Sequence, residues 1–399
     1  METRFRVPIG WNLLVVGLIT ILIGFGPSPV RANVAATARA WKFVPSPSVP
    51  GVGQGLYAVT AFSGADAWAV GDVYNQEVGD EQTLTQHWDG TQWQTLPSPS
   101  VSNAYNHLTG VAATSSNDVW AVGYTIDDST SSWQALILHW NGSRWSIVPG
   151  AALGTSYNAL TRVVAVASND VWAVGYNGTD INFHTLVEHW DGHSWTAVPT
   201  PAPGTYDALY GVTAISANDV WATGYYKEGD FTYESLTLHW DGNAWVEVES
   251  PNTTEYNWFN GVTALSANNV WAVGYEYEDG GNAISHPLIQ HWNGTEWSVV
   301  ANPHVPDGHY TNLSDAASIS SNDMVSVGTS TDLNENYDPL IEQWDGRAWT
   351  LAAAPEILGM PNTVITSVAA DKTGGYWAVG WAQRASPLTH RTYIVRRSR

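Results

Sequence analysis

The chain has 399 residues, among them 36 Gly, 20 Pro and 23 Trp, no Cys, and only 13% charged side chains. Its 37 acidic residues against 15 Lys and Arg leave a net charge of −22, which repels phosphate backbones and anionic membranes and excludes nucleic acid as a partner. Without Cys there is no disulfide framework, thiolate metal site or cysteine nucleophile, so the fold stands on packing alone.

Arg4 and Arg6 precede the apolar run 11–25, which is short for a membrane span, and Val30-Arg31-Ala32 offers the small residues of a cleavage site. Residues 1–32 read as a cleaved signal peptide, with an uncleaved anchor as the rival reading, 33–40 as a short linker and 41–399 as the folded domain. The protein is then secreted or held at the cell surface, with no membrane contact beyond the signal segment. Residues 1–32 contain three Arg and one Glu, so the remainder carries −24.

From there on, one pattern recurs. The string Asn-Asp-Val-Trp-Ala-Val-Gly-Tyr returns with small changes, anchored at Trp68, Trp120, Trp172, Trp221, Trp271, Val325 and Trp377, at spacings of 52, 52, 49, 50, 54 and 52 residues. A second string follows the first six anchors: Trp88-Asp89-Gly90-Thr91-Gln92-Trp93, and the Trp pairs 140/145, 190/195, 240/245, 292/297 and 344/349. In the second copy the β-rich runs 107–113, 119–124, 135–140 and 145–149 predict four strands. Asn141-Gly142 supplies the hairpin between the last two, and Ser116-Asn117-Asp118 the turn between the first two. No helical period occurs anywhere.

The final copy lacks its fourth strand, and the segment 41–48 matches that missing strand as it stands in residues 93–100. The expectation is an all-β, seven-bladed β-propeller of four antiparallel strands per blade, about 51 residues each, closed by the N-terminal strand completing the last blade. The order of a strand ending in Gly, a variable hairpin, a tight turn and a Trp resembles the Kelch repeat of galactose-oxidase-type propellers. It departs from that repeat in having Val-Gly-Tyr in place of a double Gly. The Trp-Asp-Gly-x-x-Trp turn is similar to the Asp-box of sialidase-type propellers, and the wording of the whole repeat resembles a set of exported bacterial repeat proteins. Galactose-oxidase chemistry does not carry over, because its copper-radical site requires a Cys.

Nineteen of the 23 Trp occupy repeat positions and read as packing between blades. His87, His139, His189, His239 and His291 each fall on the third strand of their own blade, spread around a ring, and cannot meet at one ion. Function is expected where the copies differ, on the face that carries the second-to-third hairpins and the connections between blades. Carboxylates gather there, among them Asp80, Glu81, Asp127, Asp128 and Glu234. An aromatic stands at the start of several innermost strands: Tyr105, Tyr157, Tyr206, Tyr256 and Tyr310. The unrepeated Trp133, Trp258 and Trp381 are expected at this face, Trp258 exposed closest to the axis. Arg162 and Asp315 replace the Gly of the innermost strand and are expected at the channel wall, too far apart across the axis for a salt bridge.

The reading is an exported, monomeric propeller that binds an extracellular carbohydrate or protein through these residues; the alternative is a polysaccharide lyase or glycoside hydrolase at the channel mouth. Local catalytic signatures are absent, and His107, Tyr210, His304 and His309 are the candidates for a catalytic site. A His, a Tyr and a carboxylate in hydrogen-bond reach of one another would favour the enzyme. No cofactor is required. Calcium is the one left open, since Asp332, Asn334, Asn336 and Asp338 alternate as in a calcium loop, though without its Gly and with Gln343 in place of its final Glu.

Overall fold

The structure, a computed structural model, describes residues 40–48, 53–75, 77, 79–179, 182–229, 232–277, 284–303, 310–384 and 389–399. The expected signal peptide (1–32) and the expected linker up to residue 39 lie outside the described residues. The described residues form 28 strands and no helix, in repeated units of four antiparallel strands over residues 54–96, 104–147, 157–197, 207–247, 256–299 and 310–351. A further unit takes three strands from 362–397, and its outer strand is Lys42–Phe43, pairing with Arg396 and Val395 of the last strand. In the second unit the strands run Ala104–Ser115, Asp118–Asp127, Trp133–Trp140 and Trp145–Ile147, a little longer than the periodicity predicts except at the outer edge. No sheet closes on itself among the described residues. Three pairs of neighbouring units are instead joined by one-residue parallel contacts, Trp133 with Tyr157, Phe183 with Tyr206 and Tyr233 with Tyr256.

Local chemistry explains the repeat. In the outer hairpin Asp89 Oδ1 accepts the amides of Thr91 and Gln92 at 2.8 and 2.9 Å, and Gly90 takes φ +94°, a conformation that side chains resist. Asn141, Asp191, Asp241, Asn293 and Asp345 do the same, each before a Gly of positive φ. The repeated histidines are structural. His87 Nε2 lies 2.9 Å from Asp66 in its own unit's turn, and its ring stacks on Trp68 at 4.3 Å. His139, His189 and His239 repeat this arrangement with Asp118, Asp170 and Asp219, and His291 with Asn269.

The units are held together by their tryptophans. Trp68 meets Trp140 and Trp145 of the following unit at 5.1 and 5.5 Å, and the same wedge repeats down to Trp377, which meets Trp88 and Trp93 of the first unit. Where the anchor is Val325, the space is filled by Trp41 and Tyr376. Threonine hydroxyls add a second tie at the bulge in three of the innermost strands. Thr109 Oγ1 donates to Leu160 O at 2.8 Å and Thr161 Oγ1 to Leu209 O at 2.7 Å, each reaching the next unit, and Thr366 Oγ1 donates to Leu56 O at 2.8 Å, from last unit to first.

A buried position on the third strand carries carboxyls in two units: Glu188 in the third, which accepts Ala151 N and is raised by burial, and Glu342 in the sixth. Gln86 and Gln290, on the third strand, donate to Pro47 O and Pro251 O. The same register position in the sixth unit holds Glu342, fully buried, whose carboxyl is pushed up to about 8 by burial. A pKa raised above the unfolded value favours the folded protein at low pH and loses that contribution as pH climbs toward 8, by about 1.4 kcal/mol per pH unit. Thermal melts at pH 5 and pH 8 should therefore show a larger fall for the native chain than for Glu342→Gln; equal falls would mean that Glu342 is ionised at little cost.

Candidate functional site

The innermost strands come closest at one level of the axis, the position after each bulge: Ala58, Gly110, Arg162, Gly211, Gly261, Asp315 and Ser367. A Cβ on Gly110 would stand 2.9 Å from the Arg162 backbone, and one on Gly261 2.8 Å from that of Asp315. Glycine is there because the strands touch. The waist is narrow enough for Arg162 to bridge it: Nη1 donates to Thr109 O at 2.5 Å, Nη2 to Thr366 O at 3.4 Å, and Nη2 lies 4.0 Å from Asp315 Oδ2. The expectation that the two charges are too far apart is thus overturned. Asp315 also accepts Ser367 Oγ, Val368 N and Ala316 N, while burial holds its carboxyl above the ordinary range against the pull of Arg162 and these donors. The pair lines a cavity of about 260 Å³, together with residues that lead on from the bulges toward the repeat turns.

Above the waist, aromatic rings form an arc over the second to fifth units. Trp133 stacks on Tyr124 at 4.7 Å and 9°, and lies beside Tyr157 and Tyr176. Tyr176 leads to Tyr210, and Tyr210 to Tyr225 at 5.9 Å. Tyr225 meets Trp258, which is sandwiched by Tyr233, Tyr275 and Tyr277. Trp258 is only 8% exposed, and so is Tyr256, which stacks on Tyr277 at 4.3 Å. The expected exposed Trp258 is a core residue: it pairs across the strands with Tyr275, and the neighbouring unit's Tyr225 covers it. Trp381 is also corrected. It pairs with Val364 as Tyr124 pairs with His107, so it occupies the repeat's Tyr position, half-buried against His390 and Tyr337. Tyr105, Trp133, Tyr157 and Tyr206 are half-buried, and Tyr310 is 42% exposed.

Of the catalytic candidates, His304 and His309 lie outside the described residues, and Tyr210 is a member of the aromatic arc whose phenol burial pushes well up. His107 is different. Its Nδ1 lies 2.6 Å from Asp72 Oδ2, and the Tyr57 hydroxyl donates to the other oxygen of Asp72 at 3.3 Å. Burial pulls His107 down, but the hydrogen bond and charge of Asp72, with Glu81, outweigh it and set its pKa above that of an ordinary histidine. Glu81 is raised by burial against the pull of His107, and Tyr124 packs on the imidazole at 5.1 Å. Sequence reasoning missed Asp72 and Tyr57, although a signal was present: Asp72 stands where other copies have Tyr124, Tyr176, Tyr225 and Tyr275, and Tyr57 where three other copies have Thr109, Thr161 and Thr366.

The calcium-like string is a self-capped hairpin. Asp332 Oδ1 accepts the amides of Asn334 and Asn336, and Oδ2 accepts Asn336 Nδ2, so its oxygens face donors of their own loop. Asp338 pairs with Ser330 on the adjacent strand. Among the described residues no three His, Cys, Asp or Glu side chains come together to hold a metal.

The chain matches no family model and no curated protein. Among solved structures it is similar to YCF48 bound to D1 peptide, at 13% identity over 91% of this chain and 96% of that one, with a TM-score of 0.54. A protein of unknown function from Dyadobacter fermentans is similar at 9% identity over 88% of this chain and the whole of that one, with a TM-score of 0.47. The fold is a β-propeller. At these identities the likeness concerns the fold alone, and the propeller's site is argued from its own residues.

The waist gives a testable coupling. Arg162→Gly leaves the Asp315 carboxylate buried without its counter-charge, which should cost about 3–5 kcal/mol. Removing both, Arg162→Gly with Asp315→Gly, should cost less than the two single changes together, by about 1–3 kcal/mol in a urea-melt cycle. Strict additivity would show that the two side chains do not interact.

Proposed function

We propose that this chain is an exported, monomeric, seven-bladed β-propeller that binds a polypeptide ligand on its variable face. The observation that carries this is the set of partly exposed rings, Tyr105, Trp133, Tyr157, Tyr206 and Tyr310, with Asp80 and Asp128 near Tyr105 and Asp127 near Trp133, above the waist bridged by Arg162 and Asp315. Flat rings with polar neighbours contribute large contact area at small entropic cost, which is how protein-binding surfaces are built. Support for a polypeptide over a carbohydrate comes from YCF48, the similar propeller seen with a bound peptide. Export rests on residues 1–32, read as a signal peptide.

Seven blades closed as a ring are supported by the Thr366-to-Leu56 bond, the contact of Trp377 with Trp88 and Trp93, and the pairing of Lys42–Phe43 with the last strand. On this reading, deleting residues 33–48 removes the packing of Trp41 and should lower stability by about 3–5 kcal/mol. An unchanged melting temperature would refute the closure.

A second reading, a hydrolase or lyase, is favoured by one arrangement, Tyr57 and His107 on the two oxygens of Asp72. One experiment separates the two. The chain from residue 33 is screened on peptide and glycan arrays, and each bound ligand is examined by mass spectrometry. Binding of an intact peptide, weakened about tenfold by Tyr105→Ala with Tyr310→Ala at an unchanged melting temperature, is the expected result. Ligand cleaved by the native chain and left whole by His107→Gln would establish the enzyme instead.

A further inference from the structure

The charge of this protein is uneven. Residues 372–399 contain six Lys and Arg and no Asp or Glu, so the other 371 residues carry −28. Three of these cations are accounted for on the turn side of the last unit. Arg396 lies over Trp377 and near Asp371, Arg397 over Tyr376 with Asp323, and Lys372 over Phe62. Arg384 and Arg391 lie at the other end of the same strands, toward the variable face, and both are exposed. Arg391 sits opposite Ala382, and Arg384 follows Ala382 by two positions, so both guanidinium stems leave the same face of the sheet as diagonal neighbours. Like charges so placed repel each other unless an anion joins them. Among the described residues no carboxylate comes within 4 Å of either.

Between these arginines and the loop that leads into the last unit lies a cavity of about 210 Å³, completed by Leu358, Gly359 and Met360. The loop is a built turn. Met360 N donates to Ile357 O at 3.0 Å, Gly359 takes φ +80°, and Met360 is buried in the core of the last unit, which fixes the turn to the sheet. The turn holds Leu358 fully exposed, the most exposed large apolar side chain among the described residues. An exposed Leu beside two uncompensated arginines suits a ligand that is apolar and anionic at once.

We infer that this groove is a docking site for an acidic polypeptide segment in which an apolar side chain stands next to carboxylates, the apolar group against Leu358 and Met360 and the carboxylates on Arg384 and Arg391. Charge complementarity selects this occupant: on a chain of net charge −22 a cationic or neutral segment finds no reason to choose the one exposed arginine pair on this face. The site lies on the face proposed above for ligand binding, but the inference does not depend on that reading.

The test is fluorescence anisotropy with a labelled peptide, Gly-Asp-Leu-Glu-Leu, titrated with the chain from residue 33 at low salt. The expected result is saturable binding that weakens as salt rises, falls at least tenfold in Arg384→Gln with Arg391→Gln, and falls in Leu358→Ser. Binding should be unchanged in Lys42→Gln, which removes a cation of the same unit far from the groove, and absent for Gly-Lys-Leu-Lys-Leu. No saturable binding by the native chain, equal binding by the double variant, or equal binding of the lysine peptide would each overturn the inference. So would sedimentation showing that Leu358→Ser dissociates a dimer of this chain, since the groove would then be an interface between copies. Melting curves of the variants establish that loss of binding is not loss of fold.

Discussion

The packing of this protein depends on an anchor indole, present in every repeated unit but the sixth, that its own sheet cannot cover. Trp68 is 1% exposed, yet its own unit supplies only His87 and the strands beside it; the rest of its cover is Trp140 and Trp145 of the unit that follows. A unit alone would leave a large flat ring in water, so each is stable only against a neighbour, and the series ends well only where the last wedge finds a partner. Trp377 finds it in the first unit, and Val325, the one anchor that is not aromatic, is compensated by Trp41 from the other end of the chain. The same packing brings the innermost strands together until only glycine fits between several of them, which is why two larger side chains there are enough to bridge the axis.

Because the units share a framework, each serves as a control for the others, and departures from the repeat carry the information. Tyr57, Asp72 and His107 are three departures on three strands, and they meet. Arg162 and Asp315 are two more, 153 positions apart in sequence, and they meet across the waist. Accumulated drift would not place complementary groups together in both cases. Glu342 shows what an unmatched departure looks like: a carboxyl without a hydrogen-bond partner among the described residues, its pKa raised by burial.

The parts legible in the sequence were those governed by short-range rules. Repeat spacing, strand positions, Asx-Gly turns and the structural use of the histidines all follow from residues within one unit. What was not legible depended on distances between units. Trp258 stands outside the repeat by sequence and inside the core by structure, because its cover comes from Tyr225, 33 residues earlier in the neighbouring unit. Arg162 and Asp315 were placed correctly on the axis and wrongly out of reach, since the sequence shows glycines there but not how closely glycine lets strands approach. Asp72 was overlooked because a lone Asp in place of Tyr carries no motif; its meaning appears only when His107, 35 residues on, is seen beside it.

The electrostatics of the variable face follow from the same unevenness between copies. Near the first two units the carboxylates are crowded, so that lost hydration and the charge of Asp80 hold Asp128 above the ordinary aspartate range. The last unit brings arginines to that face instead. At physiological salt, fields from exposed charges fade within about 8 Å, less than the width of a blade, so a bound segment feels the charge of the unit beneath it rather than the −22 of the whole. On the binding function proposed above, a ligand lying across several blades would be read section by section: by rings over the second to fifth units, by acid near the first two, and by arginine at the last. Such a surface can select one order of residues along a polypeptide without any deep pocket, and the identical frameworks beneath let each section change without disturbing the next.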